Sequence, residues 1–469
     1  MSQKVRACLK HFAYLVSICC FALLITICYT PSVKADVIYH AFNMPFQEIK
    51  TKLPELKDIG YTYIQISPPE KSNPNLKWWA RYQPLDYSID SNLGSEKDLK
   101  ELIDEAHRQG QKIIVDVVLN HMANYDDGKQ DELYIKGLNY PPNFKSENFH
   151  PKEPITNWNN RYQVTHGWLD GDLPDLKTET PYVREVAKKY LLHLLDLGAD
   201  GFRFDATKHI EPDFFKAVLQ VLPDGKYCYK DKYCYGEVIG QNMYEYNQYT
   251  GIMDVTDYQL FHTILDAMSF GGDIRSLVNP QDSGRALPGT NAVTFARNHD
   301  TVNNEGRDKY GDKQDALLAN AYVLAIEEGF PLIYRDDGEE ELTKAGIKFH
   351  EAMLNEPQYF RNGNEIAAGA DSPNLLFIER GPNGNAKGLA IINKSGDWFD
   401  VPVAQMPSLA TGCYKDLHHN FSMSVDNGGD GKKYINQWGS PNRGGIKIGP
   451  RDALFFVQTY SNDCKAIWN

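Results

Sequence analysis

An alternation of apolar strands with amphipathic helices restricts the fold more than any other feature of this sequence. Ser95 caps a predicted helix, with Asp98 three residues later, and Gly110 ends it. The run 113–118 that follows is almost continuously apolar, which is typical of a strand buried on both faces. This segment therefore predicts a helix that leads into a buried strand.

The same unit recurs along the chain. A second predicted helix begins at Pro181, ends at Gly198 and precedes the strand 201–204. A third covers 315–328 and precedes the strand 331–334. Such strand and helix units extend over about 320 residues, which favours an α/β fold of the closed (β/α)8 TIM-barrel type over an open sheet.

Two stretches interrupt this alternation. Residues 122–175 are rich in Asn, Asp, Pro and Tyr, lack a clear helix and are too long for an ordinary barrel loop, so we predict a small inserted domain after the third strand. Short alternating runs between Gly and Asn turns predict a C-terminal antiparallel β-sandwich domain at 361–469. The barrel is then assigned to 36–121 and 176–360.

The first 35 residues have the organisation of an export signal. Basic residues precede the uncharged, largely apolar run 12–28, and Ala35 ends a small-residue cleavage site. The apolar run is also at the short limit for a membrane span, so an uncleaved anchor is the alternative. We predict cleavage and a secreted protein, either extracellular or periplasmic.

The net charge restricts the partners of the exported chain. Residues 1–35 contain four of the 49 Lys and Arg residues and none of the 62 Asp and Glu residues, so the remainder carries a net charge of −17. That sign repels nucleic acid and anionic membranes, but it does not disfavour a neutral polymer. We expect a monomer with no nucleic-acid partner and no membrane attachment after cleavage.

Four cysteines follow the predicted signal: Cys228, Cys234, Cys413 and Cys464. An even number in an exported chain indicates disulfides, and four cysteines allow three pairings. We predict the local pairs, Cys228–Cys234 and Cys413–Cys464. A metal site is the rival interpretation, although neither spacing is that of a zinc knuckle.

Polar residues cluster where four of the predicted strands end. The segments are Asp116-Val117-Val118-Leu119-Asn120-His121, Gly201-Phe202-Arg203-Phe204-Asp205-Ala206-Thr207-Lys208-His209, Tyr235-Gly236-Glu237-Val238 and Phe295-Ala296-Arg297-Asn298-His299-Asp300. Barrel enzymes place their sites at the C-terminal ends of the strands. These segments are therefore expected to meet on one functional face.

In this order, the four segments resemble the signature regions of the α-amylase family of glycoside hydrolases. The stretch Trp78-Trp79-Ala80-Arg81-Tyr82-Gln83-Pro84 resembles a glucan-binding stretch of the animal-type branch of that family. Leu173-Pro174-Asp175-Leu176 resembles the fifth region of that family. The resemblance covers nearly all of the chain after the signal. It implies a retaining endo-hydrolase of α-1,4-glucosidic bonds in starch, glycogen and maltooligosaccharides.

The resemblance assigns the catalytic chemistry to three carboxylates. Asp205 matches the nucleophile that forms the glycosyl-enzyme, Glu237 the general acid and later base, and Asp300 the carboxylate that holds substrate hydroxyls. Retention requires a nucleophile and an acid held close together. Arg203 lies two residues before Asp205 on a strand and faces the same side, so its charge is expected to keep Asp205 ionised.

Further substrate contacts follow from the same resemblance. They are Trp79, Tyr82, Gln83, His121, Arg203, Lys208, His209 and His299. Trp79 and Tyr82 would supply stacking faces, and Gln83 would bond sugar hydroxyls. Lys208 and His209 resemble the residues of the α-1,4-specific group that contact the leaving-group side.

A structural calcium ion is also implied. Asn120 and Asp175 offer side-chain oxygens, and His209 matches a third ligand through its backbone carbonyl. The ion would join the inserted domain to the barrel and shape the cleft without taking part in the chemistry. The alternative is that Asn120 and Asp175 only cap turns.

Chloride is not expected. In the animal-type enzymes this anion lies among an arginine, an asparagine and a second basic residue on the last strand. Arg203 and Asn298 match the first two, but Leu332 follows Pro331 where the second basic residue should stand. Arg335 is three residues further along the strand and would point to the opposite face.

Three other functions remain as alternatives. Maltogenic amylases and α-glucan transglycosylases share most of these motifs and differ in their products. A membrane-anchored, non-catalytic family member would use residues 12–28 as its anchor, and a non-hydrolytic glucan-binding protein would need only the stacking faces. The presence of Asp205, Glu237 and Asp300 argues against the last two.

Overall fold

The computed structural model describes most of the chain after the predicted signal. The described residues are 36–124, 144–223, 225, 227–304, 310–362, 373–401, 404–405, 408–419, 422–427, 429, 431–438 and 446–459. Within these residues, no helix combines the length and apolarity needed to cross a bilayer. The predicted signal, 1–35, lies outside them.

Eight parallel strands close into a barrel, as the sequence predicts. They are β1 (Ile38–Ala41), β2 (Tyr63–Ile66), β3 (Lys112–Val117), β4 (Gly201–Phe204), β5 (Lys232–Gly236), β6 (Asp254–Thr256), β7 (Ala292–Phe295) and β8 (Phe330–Tyr334). Each strand pairs with the next in chain order, and β8 pairs with β1. The strands are buried except at their first residues Lys112 and Lys232. Because all eight strands are parallel, their C-terminal ends converge on one face.

Ten α-helices accompany the described strands. They are α1 (Phe46–Ile59), α2 (Glu96–Gln109), α3 (Arg161–His166), α4 (Pro181–Leu197), α5 (Pro212–Val218), α6 (Met243–Asn247), α7 (Tyr258–Met268), α8 (His299–Asn303), α9 (Lys313–Ala325) and α10 (Glu341–Ala352). Ser95 and Asp98 form the predicted capping box of α2, and Gly110 ends it in the left-handed conformation, with φ of 75°. The sequence places α9 two residues too late, because Asp312 accepts from the first backbone amides and is the true cap.

The inserted segment contains more helix than its composition suggests. Asn160 caps the short helix α3, which the sequence analysis missed, by accepting from the amide of Gln163. Short antiparallel bridges join His121 to Asp175 and Phe149 to Leu176. The segment is therefore tied to the end of β3, and the exact limits of the proposed domain, 122–175, stay a prediction.

The C-terminal part forms an antiparallel sheet, as predicted. Its strands are β9 (Gln358–Asn362), β10 (Leu375–Arg380), β11 (Gly388–Asn393), β13 (Ala404–Gln405), β14 (Gly412–Asp416), β15 (Ser422–Asn427), β16 (Lys433–Trp438) and β18 (Asp452–Thr459), while β12 (Phe399–Val401) pairs with β17 (Ile446–Ile448). Alternate residues of β10 separate into two cores: Leu376 packs with α9 and α10, whereas Leu375 packs on the opposite face of the sheet.

The first predicted disulfide is present. Cys228 lies on a short strand, Tyr227–Tyr229, that pairs antiparallel with β5, and it bonds to Cys234 across a Cα–Cα distance of 5.6 Å. The second predicted pair, Cys413–Cys464, remains a prediction because Cys464 is outside the described residues.

Candidate active site

A cleft of about 1080 Å³ opens at the C-terminal ends of the barrel strands. The sequence-predicted residues that line it are Trp79, Tyr82, Gln83, His121, Asp205, Lys208, His209, Glu237, His299 and Asp300. They come from segments up to about 220 positions apart in the sequence, and the closed barrel brings them together because their strands end on one face. Arg203 lies beneath this surface and is buried.

Arg203 is the centre of a buried charge network. Its Nη1 lies 2.9 Å from Oδ1 of Asp205 and 2.8 Å from Oδ1 of Asp116, and its Nη2 lies 2.6 Å from Oε1 of Glu237. One guanidinium therefore contacts three carboxyl groups. Because a single positive charge cannot balance three negative charges in a buried site, this arrangement favours retention of a proton by one carboxyl.

Burial raises the pKa of both Asp116 and Glu237 to about 8, but of these two only Glu237 lines the cleft, so it is the carboxyl suited to give a proton to a substrate. Burial raises the pKa of Glu237 to about 8; Arg203 opposes the rise, and the negative charge of Asp300 adds to it. A hydrogen bond between Glu237 and Asp300 also favours the protonated form, and Oε2 accepts from the amide of Ala206 at 3.1 Å. Glu237 is thus a proton donor near neutral pH.

Asp205 lies in the same buried surroundings and, like Glu237, is bound directly by Arg203. Burial raises the pKa of Asp205 above its usual range, and Arg203 works against that rise. The expectation that Arg203 favours the ionised form agrees with this direction, although burial outweighs it. The two carboxyl groups differ in that the charge of Asp300 and its hydrogen bond favour the protonated form of Glu237, a difference that separates an acid from a nucleophile.

Asp300 and His299 follow β7 at the other side of the cleft. Nε2 of His299 lies 3.4 Å from Oδ2 of Asp300. The imidazole stacks on Tyr82, with ring centroids 4.9 Å apart, and on Phe42, with centroids 4.6 Å apart. Burial lowers the pKa of His299 well below its usual range, so it acts as a neutral hydrogen-bonding group.

The stretch after β2 forms a wall of the cleft. Trp79 and Tyr82 belong to one 3-10 turn, and Gln83 is held by Asn73, whose Nδ2 donates to Oε1 of Gln83 at 2.7 Å. His121 donates from Nε2 to the carbonyl of Tyr82 at 2.9 Å. The wall therefore presents aromatic faces and fixed polar groups, an arrangement that suits a sugar chain.

Lys208 and His209 form the opposite wall with an aromatic residue that the sequence analysis missed. Nζ of Lys208 lies 3.0 Å from Oε2 of Glu245 and 5.8 Å from the ring centre of Trp158. His209 donates from Nδ1 to the carbonyl of Val164 at 2.8 Å. Trp158 lines the cleft from the inserted segment, where composition alone gave no sign of it.

Asp116 was also missed as a functional residue. It pairs with Arg203 in the register of β3 and β4, binds its guanidinium, and accepts from the hydroxyl of Tyr82 at 2.8 Å. Its signal was present in the sequence, because Asp116 is the one charged residue within the run 113–118. A charge inside a strand buried on both faces needs a charged partner.

Two of the three proposed calcium ligands, Asn120 and Asp175, lie together where the inserted segment meets the end of β3. Asn120 donates from Nδ2 to Oδ1 of Asp175 at 3.1 Å, and Oδ2 of Asp175 accepts from His150 at 2.7 Å. Oδ1 of Asn120 is buried and has no hydrogen-bond partner among the described residues. Burial raises the pKa of Asp175 to about 7, opposed by the hydrogen bond from His150. A buried orphan oxygen beside a buried carboxylate fits a hard cation.

The residues considered for chloride each have partners within the protein. Leu332 is buried on β8, in register with Ile38. Arg335 lies beyond the end of β8 and donates from Nη1 to the carbonyl of Phe42 at 2.8 Å. Asn298 donates to the hydroxyl of Tyr258 at 3.0 Å.

Comparisons with known proteins agree with this geometry. Residues 45–372 match the family model described as the α-amylase catalytic domain. The chain is 36% identical over 362 residues to an α-amylase of Aeromonas hydrophila, covering 69% of this chain and 76% of that protein. It is 34% identical over 343 residues to an α-amylase of Thermomonospora curvata, covering 68% of this chain but only 54% of that longer protein.

The fold has similar relatives among solved structures. α-Amylase I of Eisenia fetida superposes with a TM-score of 0.74 at 22% identity, over 91% of this chain and 98% of that one. At that identity the likeness establishes the fold, whereas the family match establishes descent. The family model covers most of the chain, and the signature carboxylates meet in one cleft. The chain therefore belongs to the α-amylase family of glycoside hydrolases.

Proposed function

We propose that this protein hydrolyses internal α-1,4-glucosidic bonds of starch, glycogen and maltooligosaccharides with retention of configuration. The observation that carries the proposal is the contact of one guanidinium, that of Arg203, with both Asp205 and Glu237. It holds two carboxyl groups with different proton affinities side by side at the floor of an open cleft. Retaining glycosidases require such a pair.

In the first step, ionised Asp205 attacks the anomeric carbon as the glycosidic bond breaks. Glu237 gives its proton to the departing oxygen, so the new chain end leaves as a neutral alcohol. Asp300 and His299 lie where they can bind hydroxyls of the distorted ring and stabilise its positive charge.

In the second step, Glu237 is ionised and takes a proton from water. The water oxygen attacks the anomeric carbon and the bond to Asp205 breaks. The proton taken from water restores the protonated form of Glu237. Each step inverts the configuration, so the two together retain it. Arg203 contacts both carboxyl groups, so it stays beside the single negative charge that passes from Asp205 to Glu237 and back.

The substrate class follows from the shape and charge of the cleft. Its walls carry the half-buried ring of Trp79 and the exposed ring of Trp158, and such ring faces suit a chain of sugar units. A variant of the Eisenia fetida enzyme forms a complex with maltohexaose. A neutral glucan is also compatible with the net charge of this protein, −13 for the full sequence.

Calcium is the ion we propose for the Asn120 and Asp175 oxygens, with the carbonyl of His209 as a further ligand. Rotation of the Asn120 amide would turn its orphan Oδ1 toward the ion, and the cation would favour the charged form of Asp175. We further propose that residues 1–35 direct secretion and are removed, and that the protein acts as a monomer.

Timed product analysis on starch, pullulan and isomaltose tests the proposed activity. We expect a mixture of maltooligosaccharides to appear early from starch, with no cleavage of isomaltose. Asp205→Asn should abolish product formation, whereas the matched surface variant Asp213→Asn should behave like the unmodified protein. Transfer products that exceed hydrolysis products, or maltose alone from the start, would favour the transglycosylase or maltogenic alternative.

A further inference from the structure

A cluster of two histidines from the inserted segment and one glutamate lies outside the set of residues that line the cleft. The nitrogen and oxygen atoms that His150, His166 and Glu179 could offer to a metal ion all lie within 4.8 Å of one another. His150 is buried, His166 is half-buried, and the carboxylate of Glu179 is exposed. The cluster is thus open to solvent on one side and fixed on the other.

The hydrogen bond of His150 to Asp175 determines which of its nitrogens could bind a metal. Nδ1 of His150 lies 2.7 Å from Oδ2 of Asp175, and an ionised carboxylate can only accept, so Nδ1 carries the hydrogen. The other ring nitrogen, Nε2, lies 3.3 Å from Oε1 of Glu179 and is the one that remains for a metal ion. A cation between these two atoms would be bound by both.

His166 is oriented in the same way by a hydroxyl group. Nδ1 of His166 lies 2.9 Å from Oγ1 of Thr165, and that hydroxyl donates to Oε1 of Glu211 at 2.8 Å. Since the hydroxyl proton is used there, Oγ1 accepts from Nδ1 and leaves the lone pair of His166 on Nε2. Tyr162 stacks on the ring with centroids 4.1 Å apart and restrains its rotation.

We propose that His150, His166 and Glu179 form a binding site for a divalent transition metal ion of the zinc type. Two imidazole nitrogens and one carboxylate oxygen are a ligand set that suits Zn²⁺, with water in the fourth position. At zinc–ligand distances of about 2.0–2.1 Å, tetrahedral ligands lie roughly 3.4 Å apart, close to the separation of His150 and Glu179. Asp175, His150 and the metal would form a carboxylate–histidine–metal chain, which orients the ligand and raises its basicity.

The site would connect two parts of the structure. His150 and His166 belong to the inserted segment, whereas Glu179 precedes α4, a helix of the barrel. A bound ion would therefore fix the segment that carries Trp158, a wall of the cleft. Because Asp175 is also a proposed calcium ligand, the two ions would share one carboxylate and reinforce each other.

Zinc binding to untagged protein saturated with calcium tests this proposal. Titration calorimetry and thermal unfolding are compared for the unmodified protein and for His166→Gln. The matched control is His193→Gln, which changes a histidine on α4 whose Nε2 lies 2.9 Å from Oε2 of Glu96. A second variant, His419→Gln, alters the separate surface cluster of His418, His419 and Asp452.

We expect the unmodified protein to bind Zn²⁺ with a rise in Tm of a few degrees, and magnesium to have no such effect. His166→Gln should weaken the binding roughly tenfold or more and remove the rise in Tm, whereas His193→Gln and His419→Gln should retain both. If His166→Gln does not fold, Glu179→Gln takes its place, because that side chain is exposed. Absence of zinc binding by the unmodified protein, or an unchanged titration of the folded variant, would overturn the proposal.

Discussion

Nη2 of Arg203 lies 2.6 Å from Oε1 of Glu237, the carboxyl group that must hold a proton for the chemistry to begin. The same guanidinium contacts Asp205 through Nη1, at 2.9 Å. Arg203 therefore lowers the proton affinity of both groups, and burial raises it. The balance between these effects sets the pH at which each carboxyl has the form that catalysis requires.

Arg203→Lys should move both limbs of the pH–activity profile to higher pH, by about one unit. A single ammonium group cannot reach the three carboxyl groups that the guanidinium contacts, so burial will raise their pKa values further. The measurement is kcat/KM on a soluble maltooligosaccharide across the pH range. Arg335→Lys, which changes an arginine at the end of β8, is the matched control and should leave the profile in place. If both limbs of the pH profile of Arg203→Lys coincide with those of the unmodified enzyme, the role assigned to Arg203 is contradicted.

The unmodified enzyme should show a bell-shaped dependence of kcat/KM on pH. Activity requires ionised Asp205, so it falls on the acid side as pH drops through the raised pKa of that group. It also requires protonated Glu237, so it falls on the alkaline side near pH 8, the pKa to which burial raises that carboxyl. Initial rates on maltooligosaccharides would report both limbs. Full activity well above that alkaline limb would show that Glu237 is not the acid.

Removal of calcium should lower Tm, because Asn120 and Asp175 would lose the cation that compensates their burial. Thermal unfolding is measured after chelation, and again after calcium or zinc is restored separately. Calcium, but not zinc, should recover the full Tm. Asn120→Ala should be insensitive to chelation of calcium, whereas Asn157→Ala, in an exposed turn of the inserted segment, should respond like the unmodified protein. An unchanged Tm on chelation would argue against the site.

Activity should be independent of chloride. In the related enzymes an anion raises the pKa of the acid, but here burial already raises the pKa of Glu237 to about 8. Leu332 occupies the position where a second cation would hold the anion, and Arg335 is bound to the carbonyl of Phe42. Dialysed enzyme is assayed in acetate with added sodium chloride or with more sodium acetate at equal ionic strength. Activation of several-fold by chloride alone would refute this interpretation of Leu332.

Local signals in the sequence predict the barrel well. The capping box of Ser95 and Asp98, and the strand 201–204, lie where the pattern places them, because both depend on neighbours in the chain. The start of α9 was placed late because the capping residue, Asp312, was not recognised. The short helix α3 depends on packing against the turn after β4, which no local pattern shows.

The sequence predicted those site residues that belong to recognisable motifs. Asp205, Glu237 and Asp300 were found in signature regions and meet in one cleft. Asp116 and Trp158 were not assigned, since their importance comes from partners far away in the chain: Arg203 for the first and Lys208 for the second. The opposing effects of burial and of Arg203 on the pKa of Asp205 could likewise be recognised only from distances in the structure.

Trapping of the glycosyl-enzyme tests the central claim most directly. Glu237→Gln is mixed with α-maltosyl fluoride, whose leaving group needs no acid, so the nucleophile still reacts while hydrolysis of the intermediate lacks its base. Mass spectrometry of the digested protein should find one maltosyl unit on the peptide that contains Asp205, and none in the double variant with Asp205→Asn. A maltosyl group on another carboxylate, or no covalent product together with a β-configured sugar released by the unmodified enzyme, would contradict the account.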